Sequence, residues 1–365
     1  MSAAFVHLIA AARPNFMKVA PLFHTLRHES WCRVALIHTG QHYDPTMSEA
    51  FFRDLGLPEP THHLGVGSGG HAQQTAAVMT AYEPLCESAR PDWTIVVGDV
   101  NSTLACTLVA AKLGIKVAHL EAGLRSRDRT MPEELNRIVT DALADLLWTP
   151  SPDADANLRA EGVDEMRIER VGNIMIDSYE MLRPRIEAAR ARERFGFASR
   201  QYGLVTLHRP ANVDDAAALR EVLTALAAVA RDIPLIFPIH PRTRERIRSF
   251  GLEALVASEA GMHVTPPLGY IEFMSLVSDA ALLITDSGGV QEETTYLGIP
   301  CLTMRTTTER PITITDGTNA LVRVEELYPM VRRVLDGQWR KGTVPALWDG
   351  HTADRVAASL KAHCA

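Results

Sequence analysis

The chain has 365 residues, more than one hydrophobic core usually supports, so two domains are predicted. Its net charge of −7 at pH 7 argues against nucleic acid or an anionic membrane as a partner. Five scattered cysteines favour reduced cytosolic thiols over a disulfide or metal framework. The longest apolar runs have strand length and the N-terminus lacks an export-signal pattern, so we expect a cytoplasmic protein without membrane insertion.

Strands and helices alternate through the first half of the chain. The predicted strands are Phe5–Ala10, Val34–His38, Thr94–Val97 and Lys116–Leu120, and helical segments separate them. This order predicts parallel βαβ units and a doubly wound sheet for residues 1–171.

A second series of strands begins after Gly172-Asn173. It comprises Leu204–Leu207, Leu235–Ile239, Leu282–Thr285 and Cys301–Met304. Residues 172–351 therefore form a second predicted domain. The predicted fold class is α/β, with two Rossmann-like doubly wound domains and an interdomain cleft, and ligands are expected beyond the carboxyl ends of the strands.

A glycine-rich turn follows the predicted strand Leu282–Thr285. Ser287, Gly288 and Gly289 lie at the start of a helix, where backbone N–H groups lack intrahelical partners and suit a phosphate. Glu293 lies one turn further along the same helix face, within reach of a sugar hydroxyl. The glutamate favours a nucleotide-sugar site over an ordinary helix start.

Four cations lie near predicted strand ends, in both halves of the chain. They are Arg13, Lys18, Arg209 and Arg310. Each alone would more often be a solvated surface charge, but several at the ends of different strands suit a diphosphate.

Three acids group in the first half. Asp99 and Glu121 lie at the ends of two strands of one sheet, and Glu133 starts a helix after Pro132. We interpret Asp99 and Glu121 as catalytic, whereas first-turn glutamates such as Glu134 are often simply favourable to the helix dipole. The helix is amphipathic, with an apolar stripe of Leu135, Ile138, Val139, Ala142, Leu143 and Leu146.

Two other patterns carry little weight. The stretch 65–70 fits G-x-G-x-x-G but follows a loop-like segment, so a nicotinamide site is not favoured. His62, His63 and His71 have no carboxylate or cysteine at ligand spacing, so we interpret them as loop residues and expect no metal.

Nine motifs in order resemble the non-hydrolysing UDP-N-acetylglucosamine 2-epimerase family of bacteria. They are Arg13-Pro14 to Lys18, Thr39-Gly40-Gln41-His42, Gly98-Asp99, His119 to Arg125, Pro132 to Arg137, Gly172-Asn173, His208-Arg209, Asp286 to Glu293 and Thr308-Glu309-Arg310-Pro311. The resemblance spans nearly the whole chain. It implies a glycosyltransferase-B type fold whose final helix, residues 352–365, packs back on the first domain.

The resemblance also implies an isomerase and its site residues. The candidate catalytic residues are Asp99, Glu121, Glu133 and His208. The candidate residues for binding the substrate or its UDP part are Arg13, Lys18, Arg209, His240, Phe273, Ser287, Gly288, Gly289, Glu293 and Arg310. No metal and no cofactor are expected. The implied partners are a UDP-sugar and a second copy of the chain. The implied role is the supply of ManNAc-type sugars for surface polysaccharide.

The sequence departs from the family pattern at several positions. Ala11-Ala12 replaces Gly-Thr, Asn15 replaces a glutamate, and Pro210-Ala211 replaces Arg-Glu. Family members with a second, activating UDP-GlcNAc site hold it with residues of which Gln41 and Gln74 remain, whereas Asp44 and Gln73 replace a glutamine and an arginine. We therefore expect epimerisation without an activator.

The chemistry favours elimination, because C2 of a UDP-2-acetamido sugar adjoins no carbonyl. UDP leaves C1, the C2 proton is removed to give 2-acetamidoglucal, and both return with the proton on the opposite face. This route needs cations and N–H groups on the diphosphate and carboxylates on both sugar faces. A UDP-diacetamido-uronate epimerase, a hydrolysing epimerase, a retaining glycosyltransferase and a nucleotide-sugar sensor remain alternatives.

Overall fold

The computed structural model describes residues 3–11, 13–40, 52–257 and 261–364, with backbone alone for residues 13 and 14. The chain forms two compact units: the first is Met1–Met181 with Ala346–Ala365, and the second is Leu182–Pro345. The division falls within the helix Ile174–Ala189, whereas the sequence places it before Gly172.

The first unit contains one seven-stranded parallel sheet in the order β3-β2-β1-β4-β5-β6-β7. Its strands are β1 Ala4–Ala10, β2 Cys32–His38, β3 His62–His63, β4 Trp93–Val97, β5 Lys116–Leu120, β6 Leu146–Thr149 and β7 Ile168–Arg170. Its helices are Arg13–Leu26, His71–Ser88, Asn101–Lys112, Pro132–Leu143, Pro152–Ala160, Ile174–Ala189 and Thr352–His363. The strands consist mainly of consecutive apolar residues, because both faces of the sheet are covered by helices.

The second unit contains a six-stranded parallel sheet in the order β10-β9-β8-β11-β12-β13. Its strands are β8 Gly203–Thr206, β9 Leu235–Pro238, β10 Met262–Thr265, β11 Leu282–Thr285, β12 Cys301–Thr303 and β13 Asn319–Leu321. Its helices are Pro210–Val213, Ala216–Ala230, Pro241–Ser249, Glu253–Ala257, Tyr270–Asp279, Val290–Leu297, Ile312–Thr315 and Val324–Leu335. Two parallel doubly wound α/β sheets confirm the predicted fold class.

The strand order reverses at one point in each sheet. In the first sheet this switch point lies between β1 and β4, and in the second between β8 and β11. Loops that leave neighbouring strands there run to opposite sides of the sheet and open a crevice for a ligand. Asp99 follows β4, while His208 and Ser287 follow β8 and β11.

The last helix of the chain completes the first unit. It packs against the helix Arg13–Leu26, and Trp148 Nε1 donates to Ser359 Oγ at 2.8 Å. Its first backbone N–H groups, at Thr352 and Ala353, donate to the carboxylate of Asp177 at 3.1 and 2.7 Å. A side-chain acceptor thus satisfies donors that the helix itself cannot satisfy.

The helix Pro132–Leu143 is oriented differently from what its pattern suggests. Its apolar side chains Leu135, Val139 and Leu143 are 41%, 37% and 39% exposed. Its buried face is polar and consists of Glu134, Asn136, Arg137, Thr140 and Asp141. Leu146, which the sequence adds to the stripe, is the first residue of β6.

The glycine-rich stretch 65–70 follows β3, the two-residue edge strand His62–His63, so those histidines are not in a loop as predicted. Backbone N–H groups of Val66 and Gly67 donate to the carbonyls of Thr39 and Gly40, which continues the pairing beyond β2. A dinucleotide loop belongs at a switch point, and this loop lies at the sheet edge.

Candidate active site

The candidate acid Glu121 lies where β5 ends. Its backbone has φ of 72°, and its side chain, 4% exposed, forms an ion pair with Lys18 through Oε2. The second oxygen, Oε1, is buried and has no hydrogen-bond partner among the described residues. A non-glycine residue with positive φ and a buried unsatisfied carboxylate oxygen are both costly, and such features concentrate at functional sites.

Asp99 lies beside this pair. A Cβ on the preceding residue, Gly98, would lie 3.3 Å from Lys18 Nζ and 3.5 Å from Glu121 Oε2, so the two strand ends are in close contact. Asp99 is half-buried, and Arg137 Nη1 donates to its Oδ2 at 2.5 Å. Asn136 Nδ2 donates to its carbonyl at 2.9 Å.

The two glutamates in the first turn of the helix Pro132–Leu143 differ in burial and contacts. Glu134 is buried and accepts from Arg137 at 2.6 Å and from the backbone of Ser126 at 2.9 Å. Burial alone would raise the pKa of Glu134, but these hydrogen bonds outweigh it and lower that pKa. Glu133 is half-buried at the same helix start. Glu134 thus has a structural role, and its place in the first turn also suits the helix dipole, as the sequence suggests.

In the second unit, Asp286 organises the switch point. It is fully buried and accepts from the backbone N–H groups of His208 and Arg209 and from Asn212 Nδ2 at 2.9–3.1 Å. Burial opposes ionisation, but these donors hold the pKa of Asp286 below its usual value. No role was predicted for Asp286, although a carboxylate at the end of a buried strand was the criterion that selected Asp99.

Asp286 also orients the ring of His208. Its Oδ1 lies 3.0 Å from His208 Nδ1, so Nδ1–H donates to the carboxylate and Nε2 is directed elsewhere. The ring of His240 lies 5.4 Å from that of His208, and His240 Nδ1 accepts from the backbone N–H of Arg242 at 3.2 Å. Arg209 Nε is buried with no hydrogen-bond partner in the described part of the chain. These three residues surround the end of β8.

The turn Ser287-Gly288-Gly289 follows β11 and starts the helix Val290–Leu297. Gln291 Nε2 donates to the carbonyl of Ser287 at 3.0 Å and fixes the turn. At Gly289 an added Cβ would meet nothing within 4 Å, whereas at Gly288 it would lie 2.6 Å from Glu309 Oε1. The turn is therefore open on one side and closely packed on the other.

Glu293 lies one turn further along that helix and is buried. Tyr270, a residue without a predicted role, donates to its Oε1 at 2.6 Å. Burial raises the pKa of Glu293 to about 7, with a smaller opposing effect from Tyr270. Phe273, half-buried, lies one turn beyond Tyr270 in the helix Tyr270–Asp279.

Arg310 is more enclosed than a surface cation. It is 6% exposed and pairs with Glu292 at 2.8 Å and with Glu309 at 2.5 Å. Arg305 pairs with the other oxygen of Glu309 at 3.0 Å. Two arginines and two glutamates thus support the closed side of the turn at Gly288.

The side chain of Arg13 and residues Gln41 to Asp44 lie outside what the structure describes.

Within the described ranges, no group of three or more His, Cys, Asp or Glu side chains is arranged to hold a metal ion. In the same ranges, no helix is both long and apolar enough to cross a membrane.

Comparisons with known proteins show the family to which the chain belongs. The sequence profile of the UDP-N-acetylglucosamine 2-epimerase family matches residues 24–361. A protein of Methanocaldococcus jannaschii named UDP-N-acetylglucosamine 2-epimerase is 40% identical over 322 residues, which cover 86% of this chain and 87% of that one. A Pseudomonas aeruginosa protein named UDP-2,3-diacetamido-2,3-dideoxy-D-glucuronate 2-epimerase is 40% identical over 318 residues, with 86% and 87% covered.

A solved structure is similar as well. The M. jannaschii UDP-GlcNAc 2-epimerase, in complex with UDP-GlcNAc and UDP, superposes with a TM-score of 0.88 at 38% identity, covering 98% of this chain and 99% of that one. The two doubly wound units therefore define an α/β enzyme of the glycosyltransferase-B fold type. Within that class the chain belongs to the UDP-N-acetylglucosamine 2-epimerase family, whose members are isomerases.

Proposed function

We propose that the protein is a non-hydrolysing epimerase that interconverts UDP-GlcNAc and UDP-ManNAc. The observation that carries the proposal is Glu121, a buried carboxylate paired through one oxygen with Lys18 and unpaired at the other. A proton acceptor held in this way suits a C–H bond that water cannot deprotonate. Membership of the family and the names of the relatives support the same substrate.

We assign the UDP to the second unit. When the bond between C1 and the diphosphate oxygen breaks, its electron pair stays on UDP, and the added charge must be stabilised. The N–H groups of Gly288 and Gly289 and the buried Nε of Arg209 are the donors that we assign to that charge. The N–H of Ser287, which the sequence pattern also suggests for the phosphate, already donates to Thr285 Oγ1 at 2.9 Å. Glu293 suits a ribose hydroxyl, because a carboxylate accepts from such a donor.

We assign the sugar chemistry to the first unit. One carboxylate removes the proton from C2 as UDP leaves, which forms the C1–C2 double bond of 2-acetamidoglucal. A proton is then delivered to the opposite face of C2 while UDP adds back to C1, so no group is oxidised or reduced. Asp99, Glu121 and Glu133 are the candidates for both proton transfers. Turnover is expected to survive EDTA and exhaustive dialysis.

Incubation of the protein with UDP-GlcNAc in deuterated water tests the proposal. UDP-ManNAc is expected to appear, with deuterium at C2 of both sugars in the NMR spectrum. Retention of the original C2 proton would rule out the elimination route. Free N-acetylmannosamine would indicate a hydrolysing enzyme, and transfer of the sugar to an acceptor would indicate a glycosyltransferase.

A second candidate substrate is a UDP-2,3-diacetamido-uronate. The P. aeruginosa relative that bears that name is as similar in sequence, at 40%, as the M. jannaschii relative named for UDP-GlcNAc. Separate incubations with each UDP-sugar, compared by kcat/KM, distinguish the two candidates. We expect UDP-GlcNAc to be preferred by at least tenfold, a difference of about 1.4 kcal/mol.

The proposal includes a cellular context. We assign the protein to the cytoplasm, where it supplies ManNAc-type sugars for surface polysaccharide, and to a homodimer. The exposed stripe of Leu135, Val139 and Leu143 supports the dimer, because soluble monomers rarely expose contiguous apolar patches.

A further inference from the structure

His119 forms two buried hydrogen bonds that the proposed mechanism does not use. It belongs to β5 and is fully buried. Its Nδ1 lies 2.6 Å from Asp141 Oδ1, and its Nε2 lies 2.8 Å from the carbonyl oxygen of Gly98. A backbone carbonyl can only accept, so Nε2 carries a hydrogen. An ionised carboxylate can only accept as well, so Nδ1 carries a second hydrogen, and the ring is an imidazolium.

The surroundings of Asp141 keep it ionised. Its Oδ2 accepts from Arg125 Nη1 at 2.7 Å and from the backbone N–H of Gly123 at 3.0 Å. Burial works against the charged form, but His119 and Arg125 outweigh burial and lower the pKa of Asp141. Glu161 in turn pairs with Arg125 at 2.7 Å. Two cations and two anions thus form one connected network, which meets the requirement that buried charges be paired.

This network contacts both strand ends that carry the candidate acids. His119 donates to Gly98, the residue directly before Asp99, and so fixes the peptide plane between them. Asp141 accepts from Gly123, two residues after Glu121, and so fixes the turn in which Glu121 has positive φ. The side chain of His119 is fully buried, and its two hydrogen bonds occupy both ring nitrogens, which leaves none for a substrate.

We propose that His119 is a positioning residue: as an imidazolium held by Asp141, it sets the orientation of Asp99 and thereby the rate of proton transfer, without contact with the substrate. This inference rests on the proposed function. A neutral ring would carry only one hydrogen, so one of its two oxygen partners would lose its donor, and a buried acceptor without a donor costs free energy.

His119→Gln tests the proposal, with His7→Gln as the matched control. His7 is also fully buried in the first sheet, on β1, but its Nδ1 lies 3.1 Å from Tyr82 Oη and it touches neither strand end. For His119→Gln we expect kcat to fall at least about tenfold with KM and UDP affinity nearly unchanged. For His7→Gln we expect a similar loss of thermal stability and an unchanged kcat. Equal kcat values in wild type and His119→Gln, or equal losses in both variants, would overturn the proposal.

A measurement on the wild-type protein covers the case in which His119→Gln does not fold. Nitrogen-15 NMR of labelled histidine rings is expected to show the His119 ring with hydrogens on both nitrogens. A single hydrogen on the His119 ring would overturn the proposal. If instead wild type shows no epimerisation of any UDP-sugar while that ring carries both hydrogens, the proposed function fails and the arrangement of His119 stands.

Discussion

Among single residues, a substitution of Glu121 gives the most direct test of the proposed proton transfer. Glu121→Gln keeps the size of the side chain but removes the proton acceptor, so we expect kcat to fall about 10²-fold or more. UDP affinity should stay unchanged, because UDP is assigned to the second unit. The readouts are epimerisation kinetics and titration calorimetry with UDP.

Glu165→Gln is a suitable control for that experiment, because Glu165 forms an exposed ion pair with Arg159. Such pairs contribute little, and kcat should be unaffected. A Glu121→Gln enzyme with full turnover would exclude Glu121 as the acid or base.

Glu293 should make UDP binding depend on pH. Its carboxyl has a pKa raised to about 7, and only the ionised form accepts a charge-assisted hydrogen bond from a ribose hydroxyl. UDP affinity should therefore rise as the pH increases through about 7. Titration calorimetry with wild type and Glu293→Gln separates this effect from ionisation of the phosphate itself, which both proteins share.

In the Glu293→Gln variant we expect weaker binding, by about tenfold, and a flatter pH profile. The same pH profile in both proteins would mean that Glu293 does not contact the ligand.

At the scale of elements, the helix Pro132–Leu143 has its polar face inside and its apolar face outside. Changing Leu135, Val139 and Leu143 together to lysine should dissociate the proposed dimer, since lysines cannot be buried unpaired in an interface. Light scattering after gel filtration measures the mass. Met166→Lys, at a residue 82% exposed and outside the stripe, should leave the mass unchanged.

A triple variant that keeps the mass of the wild-type protein would show that the stripe is not the interface. A wild-type protein that is itself a monomer would remove the homodimer from the proposal.

Two of the strands that were not predicted, β3 with two residues and β13 with three, lie at sheet edges and are too short for a clear pattern. β6 has four buried residues inside its sheet and was not predicted because its first residue, Leu146, fits the helical period of the preceding segment. The same limit applies to the site. The positions of Asp99 and Glu121 followed from the strand ends, but Lys18 and Glu121 are 103 residues apart, and only the packed sheet brings them together.

Contacts that depend on the direction of a side chain could not be predicted from the sequence either. Arg137 and Asp141 occupy the inner face of a helix whose period predicts an apolar inner face, so the sequence pattern suggested the opposite orientation. Asp286 differs from these residues, because its place directly after an apolar strand is visible in the sequence, although no role was predicted for it.

At the scale of the whole molecule, buried histidines should make the fold sensitive to acid. Burial, with a smaller effect of neighbouring charge, lowers the pKa of His7 and of His38 to about 4. Between pH 6.5, the unfolded value, and about 4 the unfolded chain binds these protons and the folded chain does not. These histidines therefore do not lower the free energy of unfolding above pH 6.5. Below pH 6.5 each of them lowers it by at most about 1.4 kcal/mol per pH unit as the pH drops.

Glu293 acts in the opposite direction, because its raised pKa lets the folded state hold a proton from about pH 4.5 to 7. With two histidines against one carboxyl, urea unfolding should still show stability rising with pH over this range. Replacing both histidines by glutamine should flatten that rise, whereas His351→Gln, at an exposed site, should not. An unchanged slope in the double variant would assign the acid sensitivity to other groups.

Because the first unit includes the last helix of the chain, it cannot finish folding until the whole chain has been synthesised. The first unit lacks the helix Thr352–His363 until residues 182–345 have been made, and at about 5–20 residues per second that interval is roughly 10 to 30 s. During it, Trp148 and the helix Arg13–Leu26 have no partner from the last helix. The second unit is contiguous and needs no later segment. The domain that is synthesised second is therefore the one able to finish folding first.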